Sequence, residues 1–522
     1  LEEAEGACRK ALSVDPENAE AHANLGAILL NKGRFENAVE SYERSLAIED
    51  DSRVEMALAT ALPVIMPATG QLRDLKENLK NKIHTLKNKA AATRYGIDDR
   101  IPVPAFYMAY HADDDRKLFS DIHDCYAGIF PDLIHEAPYC REKPAEKIIL
   151  RIGFLSAFFR DHTIGKLFWG IIENLSRDRF EVIVIRPIGD RDTVADQIDK
   201  SADRVVLIPE KIDAARKIIE EEKLDILFYP DIGMSPLTYT LAFSRLAPVQ
   251  VVSWGHGITT GLPAIDYFLS TDNMEPAGAE DHYCEQLIRL ENFPAYYIPP
   301  PDLKDTPDRK HFGLPEDAKI YLCPQTLYKF HPEFDCVLGD LLRADPKGIL
   351  VLISGSLKEW DGLLLDRFRG AFSEQAERVV FLERMAMSEY LGLLRIADAI
   401  LDTSHFCGGN SSLESFALGA PIITWPGKFM RGRVTLGYYD KMGFMDLVAK
   451  DAESYVRLAY RVANDSEFHA RCVEIIREKA GVLFKNTDTI RELERFFIAA
   501  HEARREGTVL QFPSPSDEDA DD

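Results

Sequence analysis

The chain has 522 residues, 46% of them apolar and 28% charged, an ordinary globular composition that excludes a disordered or fibrous protein. At ~150 residues per domain this length predicts three or four domains. Its 62 Lys and Arg stand against 86 Asp and Glu, a net charge of −24 that repels phosphate backbones and argues against a nucleic-acid-binding role.

A self-match at a spacing of 34 residues opens the chain. It lays Leu1-Glu2-Glu3-Ala4 on Phe35-Glu36-Asn37-Ala38, and Ala11-Leu12-Ser13-Val14 on Ser45-Leu46-Ala47-Ile48. Gly26 and Ala38 let paired helices approach closely, while Leu25, Phe35, Tyr42 and Leu46 fill the stack. The pattern resembles the tetratricopeptide repeat, whose units stack to bury their faces and present a concave surface to a protein or peptide. The plain alternative is that these helices only pack on the next part of the chain. Leu1 falls inside a helical pattern, so further repeats are expected upstream. The prediction is an all-α repeat region over 1–95 and a helical connector over 96–147.

From residue 148 the pattern changes to short β-branched runs alternating with helical stretches. The predicted strands are Ile148–Leu155, Phe180–Arg186, Asp225–Tyr229, Val249–Trp254 and Asp266–Ser270. A second series runs Ile320–Pro324, Gly348–Ser354, Arg378–Leu382, Ala399–Asp402 and Pro421–Thr424. Continuous apolar strands separated by helices predict parallel sheets covered on both faces. The class is therefore α/β, with two doubly wound, Rossmann-like domains at 148–300 and 301–505, divided near the proline-rich Tyr297–Pro301. Residues 451–505 read as helices that pack across or cap the second domain. The acidic end, 506–522, reads as a disordered tail. Ligands of such sheets bind outside the carboxyl ends of the strands. Neither series carries GxGxxG or a P-loop, which argues against dinucleotide oxidoreduction and P-loop phosphoryl transfer.

Four segments at strand ends carry candidate chemistry. Asp402 to Ser415 turns through Gly408 and Gly409 and opens a helix with Asn410, Ser411 and Ser412. Paired glycines admit a ligand to the backbone, and the N–H groups of a helix start hold an anion. Glu414 is placed to accept bonds from the hydroxyls of a nucleotide sugar. Ordinary N-capping by Asn and Ser is the alternative. Pro324 to Lys329 follows a strand, and Lys329 there can neutralise a departing diphosphate; taken alone, it reads as a solvated surface lysine. After the first strand, His162 in Ser156 to Thr163 is either a proton acceptor or a helix cap. Trp254 to Gly261 offers the Thr259 and Thr260 hydroxyls and the Gly261 backbone to a ligand, or forms a plain turn. Asp190-Arg191-Asp192 has the D-x-D form of a metal site but sits in a polar loop of an acid-rich chain, and is discounted. No run approaches ~18 apolar residues, so no membrane span is predicted. The eight scattered cysteines make no CxxC pair, which predicts a reduced, cytoplasmic protein without disulfides or a cysteine metal site.

Taken in order, these segments resemble the O-linked N-acetylglucosamine transferase and SPINDLY-like glycosyltransferases. The marks are Leu246-Ala247-Pro248-Val249-Gln250, Thr259-Thr260-Gly261, Ile265-Asp266-Tyr267, Leu327-Tyr328-Lys329, and Ala397 through Thr403. Gly408 to Glu414, Gly419-Ala420-Pro421, Pro426-Gly427 and Arg433 complete the set. The resemblance implies a GT-B fold and an inverting, metal-independent transfer from a UDP-sugar to Ser or Thr of proteins, with Asn as acceptor in one branch. It implies no cofactor beyond the UDP-sugar, and a protein or peptide acceptor presented by the repeats. By position, Lys329 matches the lysine on the diphosphate, Thr326 and Tyr390 lie beside the nucleotide, and Asn410, Ser411 and Ser412 form the phosphate loop. Glu414 matches the ribose-binding acid and His162 the active-site histidine. This chain departs from the family at Thr163, where proline is common, at Asp231-Ile232-Gly233-Met234, where a second histidine is expected, and at Gly255-His256-Gly257-Ile258-Thr259. Its rivals are transfer to a non-protein acceptor and an inactive repeat-based scaffold.

Overall fold

The computed structural model describes residues 1–89, 96, 106–189, 191–301 and 307–513. Asp190 of the D-x-D triplet, most of the acidic tail and the predicted boundary at residue 95 lie outside them.

Helices Glu2–Val14, Ala19–Asn31, Phe35–Ile48 and Ser52–Ala59 form the repeat region. Leu25, Leu29 and Ala38 make its buried centre, with Cys8, Leu12 and Leu30 packed against them. A Cβ on Gly26 would stand 2.8 Å from the Tyr42 ring, so the second and third helices close only because that position lacks a side chain. These repeats are not a separate domain: Leu1–Asn81 and Tyr107–Ala112 join Pro299–Leu483 in one compact unit. Trp360 Nε1 donates to the Asn31 carbonyl at 3.2 Å, and the Arg367 guanidinium donates to the Met66 carbonyl at 2.7 Å. Gly33, at φ +80°, packs against Leu363 and Val64, and the left-handed backbone needed there favours glycine.

The sheet of this unit has five parallel strands. They are β8 (Lys319–Cys323), β9 (Gly348–Ile353), β10 (Val379–Leu382), β11 (Ala399–Leu401) and β12 (Ile422–Ile423), in the order β10-β9-β8-β11-β12.

The other unit gathers the described residues of Lys82–Phe106, Asp113–Ile298 and Phe484–Asp522. Its strands are β1 (Leu150–Leu155), β2 (Phe180–Pro187), β3 (Arg204–Ile208), β4 (Ile226–Tyr229), β5 (Val249–Ser253), β6 (Tyr267–Thr271) and β7 (Gln286–Leu290). They run in the order β3-β2-β1-β4-β5-β6-β7, all parallel. The ten predicted strands are present, and β3 and β7 are additions at the two edges.

One expectation is corrected. The sequence pattern puts residues 451–505 with the second sheet, but helix Thr487–Glu506 packs in the unit of the first. Phe497 meets Phe180 and Phe228, and Phe496 lies edge-on to Tyr267 at 5.5 Å. Glu492 accepts the N–H groups of Glu291 and Asn292 at 2.7 and 2.9 Å. Amphipathic spacing predicts that one face of a helix is buried, not which sheet receives it. Among the described residues no helix is long and apolar enough to cross a membrane.

Candidate active site

In the second sheet the chain leaves β8 toward β9 and β10 on one side, then returns to β11 and β12 on the other. The loops after β8 and β11 therefore part at the switch point, where open sheets of this kind bind ligands. The loop after β8 carries Gln325 and the short turn Leu327–Lys329, opened by exposed Thr326. The loop after β11 carries Asp402 to Gly409 and enters helix Asn410–Ala417.

Lys329 links the two. Its ammonium donates to Gln325 Oε1 at 2.8 Å and to the Cys407 carbonyl at 2.9 Å, and lies 4.8 Å from the Phe406 ring centre. Gln325 Nε2 in turn donates to Ser411 Oγ at 2.9 Å. Burial lowers the Lys329 pKa, opposed by Cys407 and by the Asp402 carboxylate. Asp402 is the buried anchor of the glycine loop. Its Oδ1 receives the Gly408 N–H at 2.7 Å and its Oδ2 the Thr424 hydroxyl at 3.0 Å. Burial raises the Asp402 pKa, while bonds from Thr435, Gly408 and Thr424 and the charge of Lys329 oppose the rise. The result is a cation held at a strand end beside a helix N-terminus, an arrangement suited to an anion.

The other predicted residues of this loop gather around the pair. A Cβ on Gly408 would meet Gln325 Nε2 and Ser411 Oγ at 2.8 Å, which is why the loop closes only on glycine. Gly409 precedes the helix without a side-chain cap. Asn410 is buried, and its Oδ1 has no hydrogen-bond partner. Ser412 Oγ shares a hydrogen bond with Thr435 Oγ1 at 2.9 Å, and Glu414 is buried in the same helix. Half-buried Tyr390 sits on helix Met387–Ile396, which packs against Asn410–Ala417. Arg433 precedes Val434, whose N–H donates to Cys407 Sγ at 3.1 Å.

The first sheet has its own switch point between β1 and β4. After β1, His162 caps helix Thr163–Asn174: its Nδ1 accepts the Ile164 N–H at 3.2 Å, and its ring stacks on Phe158 at 4.5 Å. Both readings of this histidine therefore stand, with Nδ1 engaged as a cap and Nε2 outside it. Burial, then Arg160 and Lys166, lowers its pKa to about 4, so the ring is neutral at pH 7. After β4 comes Asp231, fully buried, with neither carboxylate oxygen hydrogen-bonded. Burial raises its pKa to about 7, and the neighbouring Ser156 opposes the rise. A buried carboxylate with that pKa is a proton acceptor near neutrality.

The structure turns Thr259 and Thr260 inward, to buried Glu285. Glu285 accepts the Thr259 hydroxyl at 2.7 Å, the Thr260 N–H at 2.8 Å and the Thr260 hydroxyl. Gly261, at φ +69°, fits where a Cβ would stand 2.5 Å from the Phe119 carbonyl carbon. Within the fold both hydroxyls donate to Glu285. Sequence reasoning passed over Gln325 and Thr435 as partners of the site. Gln325 lies within a quoted segment, but its bond to Ser411 spans 86 positions, and Thr435 carries no local signal.

Two parallel, doubly wound sheets preceded by helical repeats make a GT-B-type fold. Residues 301–489 match the model of glycosyl transferase family 41, and residues 1–61 match that of a tetratricopeptide repeat. The first match covers about a third of the chain and the second its opening helices. It is 25% identical over 365 residues to the probable UDP-N-acetylglucosamine–peptide N-acetylglucosaminyltransferase SEC of Arabidopsis thaliana, a match covering 67% of this chain and 36% of that protein. It is 23% identical over 295 residues to the UDP-glucose:protein N-beta-glucosyltransferase of Actinobacillus pleuropneumoniae, covering 55% and 46% respectively. The chain thus spans well under two thirds of these relatives' length. A mutant O-GlcNAc transferase of Thermobaculum terrenum shares the fold with a TM-score of 0.74 at 23% identity, over 96% of this chain and 94% of that one.

Proposed function

We propose that the chain is a UDP-sugar-dependent protein glycosyltransferase, inverting and metal-independent, that transfers N-acetylglucosamine or another hexose to Ser or Thr side chains. The observation that carries this reading is the Lys329 ammonium, held between Gln325 and the Cys407 carbonyl beside the start of helix Asn410–Ala417. In this account the donor's diphosphate lies against Lys329 and the N–H groups around Gly409 to Ser412. Asn410, Ser411 and Ser412 contribute hydrogen bonds, Glu414 takes the ribose hydroxyls, and Thr326, Tyr390 and Arg433 border the nucleotide. The acceptor oxygen attacks the anomeric carbon from the face opposite UDP. The bond between that carbon and the diphosphate oxygen breaks, and its electron pair leaves with UDP. Lys329 and the helix N–H groups meet the growing charge, the task a divalent ion performs in other enzymes. The acceptor's proton passes to a basic group. His162, neutral at pH 7, Asp231 and the departing phosphate itself are the groups proposed to take it.

The repeats, continuous with the unit that holds Lys329, are proposed to present the protein acceptor. The activities of the two relatives, on peptide and on protein, support an acceptor of that kind. All eight cysteines are unpaired, which supports a reducing, cytoplasmic compartment.

The test is a screen of UDP-sugars against a peptide library in the presence of EDTA, with products read by mass spectrometry. Mass added to Ser or Thr with release of UDP is expected. If no UDP-sugar is consumed and UDP leaves the melting temperature unchanged, the chain is a repeat-based scaffold instead.

A further inference from the structure

Two residues beyond Lys329 stands His331, which caps helix Pro332–Ala344. Its Nδ1 accepts the Glu333 N–H at 3.3 Å. His405, from the loop after β11, stacks on it with ring centres 3.8 Å apart and planes at 19°. The two imidazoles share one carboxylate: Glu333 Oε2 lies 3.0 Å from His405 Nε2 and 3.9 Å from His331 Nδ1. One ligating atom from each of the three lies within 4.8 Å of the other two. A stacked histidine pair is ordinary packing, but the shared carboxylate is not needed for it.

We propose that His331, Glu333 and His405 form a binding site for a divalent transition metal of the zinc class, which clips the loop after β11 to the helix that follows Lys329.

A tetrahedral ion with bonds of about 2.0–2.1 Å sets its ligand atoms roughly 3.3 Å apart, and the two separations from Glu333 bracket that value. His405 Nδ1 is hydrogen-bonded to Ser404 Oγ at 2.9 Å, the outer contact that fixes the orientation of a ligating ring. Coordination would replace the long His331 bond to the Glu333 N–H. Two imidazoles and one carboxylate favour Zn²⁺, Ni²⁺ or Cu²⁺ over Mg²⁺ or Ca²⁺. Burial, then His405, Lys76, His111 and Arg367, lowers the His331 pKa to about 2; burial also lowers that of His405, with Lys76 and Arg431 adding to it and Glu333 opposing. Both rings are thus neutral, the state that ligates. The Glu333 side chain is 59% exposed, which leaves an entry path and an open fourth position. The site is argued without the donor reading and stands apart from it.

The test uses the full chain, stripped with a chelator and titrated with Zn²⁺ and Co²⁺. One equivalent of bound metal, a tetrahedral Co²⁺ absorption and a rise in melting temperature with Zn²⁺ are expected. His331→Asn, which can still cap the helix, combined with His405→Ala removes the absorption. Glu333→Gln, at an exposed position, weakens binding without unfolding the chain. Absence of stoichiometric binding, or an unchanged Co²⁺ spectrum in either variant, overturns the proposal.

Discussion

Asp231→Asn gives the sharpest test of the electrostatics at the end of β4. Asp231 is fully buried without a hydrogen-bond partner, and its pKa is raised from 3.8 to about 7. Between those values the folded chain holds a proton that the unfolded chain has released, so stability falls as pH rises through the window. From pH 5 to pH 8 the folded pKa leaves about two pH units of full difference. At about 1.36 kcal/mol each, this costs the wild type about 3 kcal/mol. The asparagine variant carries no such charge and is flat across the range. A chain of several domains does not unfold in one step. The readout is therefore the melting temperature of the variant minus that of the wild type, measured by calorimetry at each pH. For a unit of this size 1 kcal/mol moves the midpoint by about 2–4 °C, so the gap widens by about 6–12 °C between pH 5 and pH 8. A gap that does not change with pH would refute the reasoning, since Asp231 would then be ionised at both ends of the range. The same variant loses transfer activity if Asp231 accepts the proton, while remaining the more stable protein.

His162 is separated into cap and catalyst by two substitutions. His162→Ala removes the cap and costs about 1 kcal/mol, whereas His162→Asn restores it. If the ring also moves a proton, both variants lose about 10²-fold or more in turnover, and wild-type turnover in the asparagine variant would leave His162 as a cap alone. Glu285→Ala strands the donors of Thr259 and Thr260 and lowers stability by at least about 2 kcal/mol. UDP affinity, measured by calorimetry, is expected to stay unchanged, and a marked loss would return these threonines to the donor site.

The parts legible in the sequence were those with local signals. The 34-residue spacing, with Gly26 against Tyr42, announced the repeats, and the ten strands with continuous apolar runs were found within a residue or two. β3 and β7 were missed although Val205–Ile208 is a continuous apolar run; both are edge strands, and Arg289 interrupts the run of β7. The glycine loop and Lys329 were legible because a strand end, paired glycines and a helix start follow one another in the chain. Their mutual bond was not, since Lys329 and Cys407 are 78 positions apart. The partnership of Thr259 and Thr260 with Glu285 was not legible either, since Glu285 lies 25 or more positions further on. The packing of helix Thr487–Glu506 on the first sheet was hidden for the same reason: long-range choice of partner leaves no periodic trace.

In the proposed reaction Lys329, with the helix start at Asn410, receives the diphosphate of a UDP-sugar. The direct measurement is UDP release from the preferred donor by wild type and by Lys329→Ala, with melting temperatures recorded alongside. Turnover is expected to fall about 10²–10³-fold, the size expected on removing one preorganised group that stabilises developing charge, in a variant that remains folded. Near-normal turnover by a folded Lys329→Ala protein would contradict it.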